Sequence, residues 1–270
     1  MFLRKLFNSE NKLTWVLIDL IIVIIGVYCA FLIQSYAESE KNLKERDRVV
    51  SALKYELEYF RFQMTQISGG MTGYSAQLTE VLEKGSYGNF SDFRFIEPQY
   101  DYQTIQYALS LQNSEIIDFE LYNVLQSLFV EIKKIEHVER LLTETSRRYK
   151  TLPSNVSKET TEYKLTWTEN YDNFDRFVTL IADRGGISSR IASASEGALP
   201  LINKRLGAQK SRAIERELIS KNMGVAENEK EAVFLVKKFF PDFSEEEIRE
   251  LYRQANSPEI KTPGDSIEGN

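Results

Sequence analysis

Cysteine and histidine are nearly absent from the sequence, and both absences exclude classes of functional site. The 270 residues include one cysteine, Cys29, and one histidine, His137. Cys29 lies within an apolar run, so the rest of the chain has no residue for a disulfide or a thiolate metal site. A lone histidine among charged neighbours is typical of a surface or packing position. The water-facing part must therefore be stabilised by an apolar core.

Motifs that bind phosphate or catalytic metal are also missing. The sequence contains no GxxxxGK[ST] loop, no GxGxxG following a strand and no HExxH. The acidic triplet Glu245-Glu246-Glu247 fits a helix start, where carboxylates interact favourably with the helix dipole. We therefore predict no cofactor, no metal and no enzymatic activity. A net charge of −6 argues against a nucleic-acid partner, which would require a basic face.

Glycine and proline are scarce, at 13 and 6 residues. Few helix breakers, combined with many Leu, Glu, Lys, Arg and Gln residues, favour long helices. The sequence therefore predicts an all-α fold, in which an N-terminal transmembrane helix continues into a water-facing helical bundle. We assign residues 1–12 to a short flank, 13–33 to the membrane, 34–256 to the helical domain and 257–270 to a disordered tail.

One long apolar segment, Leu13–Ile33, is present near the N-terminus and carries a single charge, Asp19. At about 1.5 Å per residue it spans roughly 31 Å, which is enough for a hydrocarbon core. Trp15 and Tyr36 lie near its two ends, where amphipathic rings prefer the headgroup layer. A cleaved signal peptide is the alternative. The run is longer than a usual signal core and lacks a clear cleavage site, so we predict an uncleaved anchor.

Basic residues flank this segment on both sides in nearly equal numbers, so their distribution favours one orientation of the helix in the membrane only slightly. Arg4, Lys5 and Lys12 precede it, and Lys12 lies closest to the apolar run. The four basic residues that follow are interleaved with acids, which count little in the positive-inside rule. We therefore predict a single-pass protein of the bacterial inner membrane, with the N-terminus inside and the C-terminal domain periplasmic.

One stripe of this helix combines a carboxylate with small residues. At 100° per residue, Asp19, Gly26, Ala30 and Ala37 fall on one face. A carboxylate within a bilayer is costly unless it is paired, protonated or hydrated, and small residues allow another helix to approach closely. The alternative is that headgroup water hydrates Asp19 and that the small-residue spacing arises by chance. Our hypothesis is that the stripe packs against a partner transmembrane helix, of the same or another protein.

Beyond the membrane segment, apolar residues keep a spacing of three and four. The spacing is that of an a/d heptad stripe, which favours the core face of an intramolecular bundle and leaves a coiled-coil dimer as the alternative. The stripe consists of Leu43, Val50, Leu53, Leu57, Phe60, Met64 and Ile67. We expect Gly69-Gly70 to end this helix, and a second helix to cover Tyr74–Lys84 and end at Gly85.

The stretch Ser86–Gln99 is the least helical and contains four aromatic residues, Tyr87, Phe90, Phe93 and Phe95. Such rings can line a ligand pocket, but large rings more often fill the end of a bundle core. Asp101 is a candidate N-cap for a helix over Tyr102–Leu111.

Helical spacing continues in the second half of the chain. Asp118 is the expected cap of a long helix from Phe119 to Tyr149, after which a polar linker at 153–161 marks a possible sub-boundary. We expect a further helix over Glu162–Asp183, ended by Gly185-Gly186.

The C-terminal part is predicted to contain three more helices. Pro200 is a candidate first-turn residue of a helix that runs to Met223 and stops at Gly224. The basic residues of that helix are expected to form a solvated face: Lys204, Arg205, Lys210, Arg212 and Arg216. A hairpin of Glu229–Phe240 and a helix through Gln254, opened by a Ser244/Glu247 capping box, completes the domain.

The membrane segment resembles that of a family of uncharacterised bacterial single-pass membrane proteins, catalogued as a domain of unknown function. An acidic residue opens an Ile/Val-rich run, followed by Gly, Ala, a polar pair and an aromatic. The matching residues here are Asp19, Gly26, Ala30, Gln34-Ser35 and Tyr36. The family usually has two amides and Trp at the last positions. A weaker similarity covers Tyr100–Leu125. The resemblance implies an anchored helical domain and no particular activity.

These observations favour a membrane-anchored helical scaffold or protein-interaction module of the bacterial envelope. The expected partners are the lipid bilayer and a partner transmembrane helix. The competing interpretation is a ligand-sensing helical domain with a pocket near Phe90–Phe95. Because only about twelve residues precede the span, such a sensor would act through a partner protein.

Overall fold

The computed structural model describes residues 12–84, 95–111, 117–148, 150 and 156–256, with side chains in the first stretch from Leu20 onward. These residues form seven α-helices and one 3-10 turn and contain no strand, which confirms the predicted all-α class. The predictions for Gly85, Tyr87, Phe90, Phe93, residues 113–114, Leu152-Pro153 and residues 257–270 lie outside the described residues.

The helices follow one another along the chain with few irregular residues between them. In chain order they are α1 (Lys12–Glu83), α2 (Gln103–Ser110), α3 (Phe119–Ser146), α4 (Thr161–Leu206), α5 (Ala208–Asn222), the 3-10 turn Met223–Val225, α6 (Glu229–Phe239) and α7 (Glu245–Asn256).

The chain divides into two compact units, Met1–Arg48 and Val49–Asn270. In the first unit, α1 includes an 18-residue window with a mean hydropathy of 2.2, none of it buried. It is the one helix among the described residues that is long and apolar enough to cross a membrane. Length and composition of this kind are also met by a secretory signal sequence.

The second unit is built on an antiparallel pair, α3 and α4. Glu139 of α3 contacts Arg184 of α4 at 2.6 Å, and Asp118 near the start of α3 pairs with Arg205 near the end of α4. Residue numbers therefore rise on one helix as they fall on the other.

The later part of α1 packs alongside this pair and runs antiparallel to α4. Lys54 contacts Asn203, whereas Met71, further along α1, lies against Gly185. Three helices thus surround the main core. Its fully buried side chains include Leu53, Leu57, Phe60, Met64, Leu121, Leu125, Leu128, Ile132, Phe174, Ile191 and Ile202. A smaller core joins α5, α6 and α7 around Ile219, Met223, Phe243 and Ile248.

The predicted apolar stripe of α1 forms part of this core. From Val50 to Met64 its members are buried within the chain, and Ile67 is partly buried. Leu43 is exposed and does not belong to it. The stripe is therefore the core face of an intramolecular bundle.

Two predicted helix ends, at paired glycines, are wrong. α1 continues through Gly69-Gly70, so the separate helix over Tyr74–Lys84 is its last part, and α4 continues through Gly185-Gly186. A glycine inside a helix costs only about 1 kcal/mol relative to alanine, which core packing offsets. The apolar spacing of α1 in fact continues past the glycines, through Met71 to Leu78.

The predicted restart at Pro200 is also wrong, because α4 includes this residue and ends at Leu206. The break falls at Gly207, whose φ of 77° and ψ of 157° belong to a region that is essentially open only to glycine. α5 then ends at Asn222, one residue before the predicted end, and the 3-10 turn contains the expected stop, Gly224.

Two helix starts are capped as predicted. The Asp118 carboxylate accepts a hydrogen bond from the Leu121 N–H at 2.9 Å, and the Ser244 hydroxyl accepts one from the Glu247 N–H at 3.2 Å. The Glu247 side chain departs from the capping box, since it binds Arg212 and Arg216 of α5. Arg205 is likewise paired to Asp118, so Arg205, Arg212 and Arg216 are engaged in ion pairs although they were expected on a solvated face.

The adjacent glycines of α4 provide a matched test of helix packing. A Cβ added at Gly185 would lie 3.1 Å from the Met71 Cβ, whereas one at Gly186 would meet only the Arg190 side chain, at 3.8 Å. Gly186→Ala should raise the free energy of unfolding by about 0.5–1 kcal/mol, because alanine restricts the unfolded chain and favours the helix. Gly185→Ala should lower stability instead, since α1 and α4 must separate slightly.

Urea denaturation of both variants measures the difference. Equal stabilisation by the two substitutions would contradict the close approach of α1 to α4 at Gly185.

Candidate functional site

A fully buried lysine is the most unusual feature of the second unit. Lys54 of α1 has no solvent exposure, and its ammonium group donates to three oxygens. These are Asn203 Oδ1 at 2.6 Å, Ser211 Oγ at 2.5 Å and Glu215 Oε1 at 2.6 Å. An ammonium has three protons to donate, so its hydrogen-bonding capacity is fully used. The group joins α1 to α4 and α5.

A second ion pair lies one helical turn further along α1. Glu58 is buried and its Oε2 accepts from Arg61 Nη2 at 2.6 Å. Arg61 Nη2 also donates a hydrogen bond to the carbonyl oxygen of Phe239 at 2.8 Å, and the guanidinium lies 5.1 Å from the Phe240 ring centre. Arg61 thereby connects α1 to the end of α6.

Burial raises the pKa of the Glu58 carboxyl above its usual 4.5, an effect that the nearby charges of Arg61 and Lys54 offset only in part. The two cations Lys54 and Arg61 face the two carboxylates Glu58 and Glu215. This balance is what a buried charge cluster requires, because an unpaired ion in the interior is strongly unfavourable. We refer to these four residues as the Lys54 cluster.

Two cavities lie beside the Lys54 cluster, and both are lined by Glu58, Phe239 and Phe240. The first, of about 120 Å³, is apolar and lies between α1, α5 and α6. Its other walls include Phe62, Leu218 and Leu235. The second, of about 220 Å³, is more polar, with Arg61, Glu196, Asn203 and Glu215 among its lining residues. Glu58 therefore lines both an apolar cavity and a charged one.

A separate charge cluster lies deeper in the main core. Glu139 has no solvent exposure, and its Oε1 accepts from Arg184 Nε and from the Tyr100 hydroxyl, each at 2.6 Å. The other oxygen, Oε2, is buried without a hydrogen bond to the described residues. Burial raises the pKa of the Glu139 carboxyl despite both donors. The pKa of Tyr100 is raised as well, by burial first and then by its bond to Glu139.

A third buried carboxylate, that of Glu56, caps the start of α2 although it belongs to another helix. Glu56 of α1 accepts hydrogen bonds from the Thr104 and Ile105 N–H groups, both at 3.1 Å. The N-cap position of α2 is Tyr102 and not Asp101 as predicted, because the helix begins one residue later, at Gln103; the Asp101 carboxylate still accepts from the Gln103 N–H at 3.3 Å. The orphan donors of this short helix are therefore shared between a local and a distant carboxylate. Burial raises the pKa of Glu56.

The residues of the predicted transmembrane stripe lie on α1, as expected. Gly26, Ala30 and Ala37 are exposed, and a Cβ at Gly26 would meet no atom within 4 Å. The side chain of Asp19 lies outside the described residues. The contact of this stripe with a partner helix stays a prediction.

Of the four predicted pocket aromatics, the structure describes Phe95. It is partly buried against the main core, and the Arg184 guanidinium lies 5.1 Å from its ring centre. Tyr87, Phe90 and Phe93 lie outside the described residues, so the pocket hypothesis for this group stays a prediction. The two cavities beside Glu58 are lined by other residues.

The Lys54 cluster was not predicted from the sequence, although one signal was present. Lys54 lies four residues after Val50 and three before Leu57, which is the spacing of the core stripe. Its partners are about 150 residues away, and no sequence periodicity specifies them. His137, for which a surface or a packing position was expected, is exposed, with its Nδ1 2.8 Å from Arg140 Nη2.

Within the part of the chain that the structure describes, no group of three or more His, Cys, Asp or Glu side chains is arranged to hold a metal ion. Comparisons of the chain with protein-family models, curated proteins and solved structures found no match. The arrangement of the residues is therefore the basis for the functional argument.

Removing the buried ammonium should destabilise the second unit strongly. Lys54→Met leaves Glu215 beside an apolar side chain, and we expect the free energy of unfolding to fall by about 3 kcal/mol. The matched control is Lys134→Met, because Lys134 pairs with Glu131 on the exposed surface of α3. It should change stability by less than about 0.5 kcal/mol.

Denaturant unfolding of both variants measures this difference. Adding Glu215→Gln to Lys54→Met should reduce the loss, because the unpaired carboxylate is removed. Equal effects at Lys54 and Lys134 would contradict the structural role of the cluster.

The raised pKa of Glu58 predicts a pH dependence of stability. Between pH 4.5 and the higher pKa of the folded state, the unfolded chain has lost a proton that the folded chain retains. Stability contributed by Glu58 is therefore present at low pH and falls as pH rises through this window. The difference in unfolding free energy between wild type and Glu58→Gln should decrease over the same range, measured by urea denaturation from about pH 4 to about pH 8.

Glu247 supplies a control of opposite sign. Its burial raises the carboxyl pKa, but the bonds and charges of Arg216 and Arg212 outweigh this effect and the net pKa is lowered. Its contribution is present above pH 4.5 and is lost as pH falls through the folded pKa. A wild-type minus Glu58→Gln difference that rises with pH would contradict the burial of that carboxyl.

Proposed function

We propose that the protein is a membrane-anchored helical scaffold or protein-interaction module of the bacterial envelope, which assembles through its transmembrane helix and its bundle. The observation that carries this proposal is the exposed apolar surface of α1. Its large hydrophobic side chains from Leu20 to Tyr36 are between 51% and 73% exposed. An apolar surface of this extent is stable in water only when lipid or another protein covers it.

The length of the apolar segment supports lipid as the cover. Residues 13–33 correspond to about 31 Å of helix, the thickness of a hydrocarbon core. Tyr36 follows the segment at the position of a headgroup layer. In this proposal the N-terminal flank stays in the cytoplasm, and the helical bundle lies in the periplasm.

The helical bundle supports an interaction role through its shape. The main core is closed by packed apolar side chains, and the charges of Lys54, Arg61, Glu58 and Glu215 are directed to one another. The Lys54 ammonium holds α1, α4 and α5 together, which leaves the outer surfaces of the unit for contact with a partner.

A ligand-sensing domain that acts through a partner protein is the second candidate. The pair of cavities beside Glu58 favours it, because an apolar and a charged wall in adjacent spaces suit a small amphiphilic ligand. A saturable shift in thermal unfolding with such a ligand, lost in Phe62→Ala, would favour the sensor over the scaffold.

The test of anchoring and assembly uses the full chain with a C-terminal tag. It should stay in the membrane fraction after alkaline extraction with its N-terminus intact, and a periplasm-dependent C-terminal reporter should be active.

For assembly, Ile33→Cys in a Cys29→Ser background places a single thiol near the stripe for oxidative crosslinking. Asp19→Leu and Gly26→Leu should each reduce crosslinking about fivefold or more. The Gly26 substitution has no neighbour within the described chain to disturb.

Ile21→Phe is the control, because it adds bulk to the opposite face of the same helix. The size of the complex in mild detergent should also fall in the two stripe variants and stay unchanged in the control. This second measurement also detects partners other than a second copy of the chain. A soluble product, or one lacking about its first forty residues, would overturn the anchor. Unchanged crosslinking and complex size in both stripe variants would overturn the helix contact alone.

A further inference from the structure

The outer face of α6 exposes an aromatic ring between lysines. Phe234 is 71% exposed. Lys230 lies four residues before it, and Lys237 and Lys238 follow three and four residues after it, which places all four on one helix face. Val233 lies at the edge of this group. We call these five residues the α6 outer face.

The opposite side of α6 is already used for packing. Ala232 and Phe239 are buried, and Phe62 of α1 contacts Phe239 with ring centres 4.8 Å apart. The helix is therefore fixed in orientation by the core, and Phe234 is held away from it. A ring that projects in this way is not a displaced core residue.

The α6 outer face is positively charged, although the whole chain has a net charge of −6. Glu231 lies at its flank, where its carboxylate accepts a hydrogen bond from the Glu227 N–H at 2.8 Å. Lys237 Nζ donates to the carbonyl oxygen of Pro241 at 3.1 Å, which is a bond to a neutral group. Three cations and one carboxylate give the face a local charge of about +2 at neutral pH.

We infer that the α6 outer face docks on an anionic lipid surface, with Phe234 entering the headgroup boundary. Lysine is depleted at protein–protein interfaces, where exposed aromatics enter pockets of the partner. A lone ring surrounded by lysines instead suits a membrane surface, because lysine stems lie along apolar material while their ammonium groups reach lipid phosphates. Anionic headgroups supply the matching charge. This docking would be a second membrane contact, additional to the α1 anchor.

The experiment presents the anionic surface separately from the anchor. The full chain is held in nanodiscs of phosphatidylcholine, which shield the apolar part of α1, and is mixed with vesicles of phosphatidylcholine alone or with phosphatidylglycerol. Flotation should recover the nanodiscs with the phosphatidylglycerol vesicles only, and salt at about 0.5 M should release them. Lys230→Gln/Lys237→Gln/Lys238→Gln should weaken this binding about a hundredfold. Phe234→Ser should weaken it about tenfold.

Matched controls separate this face from general surface charge and apolarity. Lys158→Gln/Lys164→Gln/Lys204→Gln removes three exposed lysines elsewhere, and Phe119→Ser removes another exposed ring. Neither should alter flotation. Equal flotation with neutral vesicles, or equal effects of control and α6 variants, would overturn the inference. Binding of polyglutamate without vesicle flotation would also overturn it, by identifying an acidic protein segment as the occupant. Failure here leaves the α1 anchor intact, since the vesicles never contact that helix.

Discussion

The fold of the second unit depends on one constraint, which is that a buried ammonium must find an acceptor for every proton. Lys54 meets this requirement with oxygens from Asn203, Ser211 and Glu215. These acceptors lie on either side of the α4–α5 junction at Gly207. Satisfying one side chain of α1 therefore fixes the end of α4 and the start of α5 together.

The part of α1 near Lys54 also contacts α6. Arg61 lies near Lys54 on α1 and binds both Glu58 and the carbonyl oxygen of Phe239. This bond closes the end of α6 against α1, which leaves an apolar space on one side of Glu58 and a charged space on the other. On this packed side of α6, Phe239 also contacts Phe62 of α1, whereas Phe234 on the other side is exposed.

α1 combines an exposed apolar segment and a buried apolar stripe in one continuous helix. Its large apolar side chains up to Tyr36 are exposed, whereas from Val49 onward its apolar stripe is buried within the chain. Between them lies a charged stretch that includes the Lys44–Glu40 pair. A helix satisfies its own backbone hydrogen bonds in lipid and in water alike, so no change of structure is needed between the two. This suits the proposed role of a tethered module.

The helical class, the apolar segment of α1, the core stripe from Val50 to Met64 and the caps at Asp118 and Ser244 could be predicted from the sequence. Each is a local property, readable from periodicity or from a hydrogen bond within four residues. That the glycine pairs do not end helices depends on tertiary packing, because packing free energy outweighs a small local penalty. Tertiary packing alone brought Lys54 to Glu215 and Glu56 to the start of α2, since no local pattern specifies which distant groups a buried charge will meet.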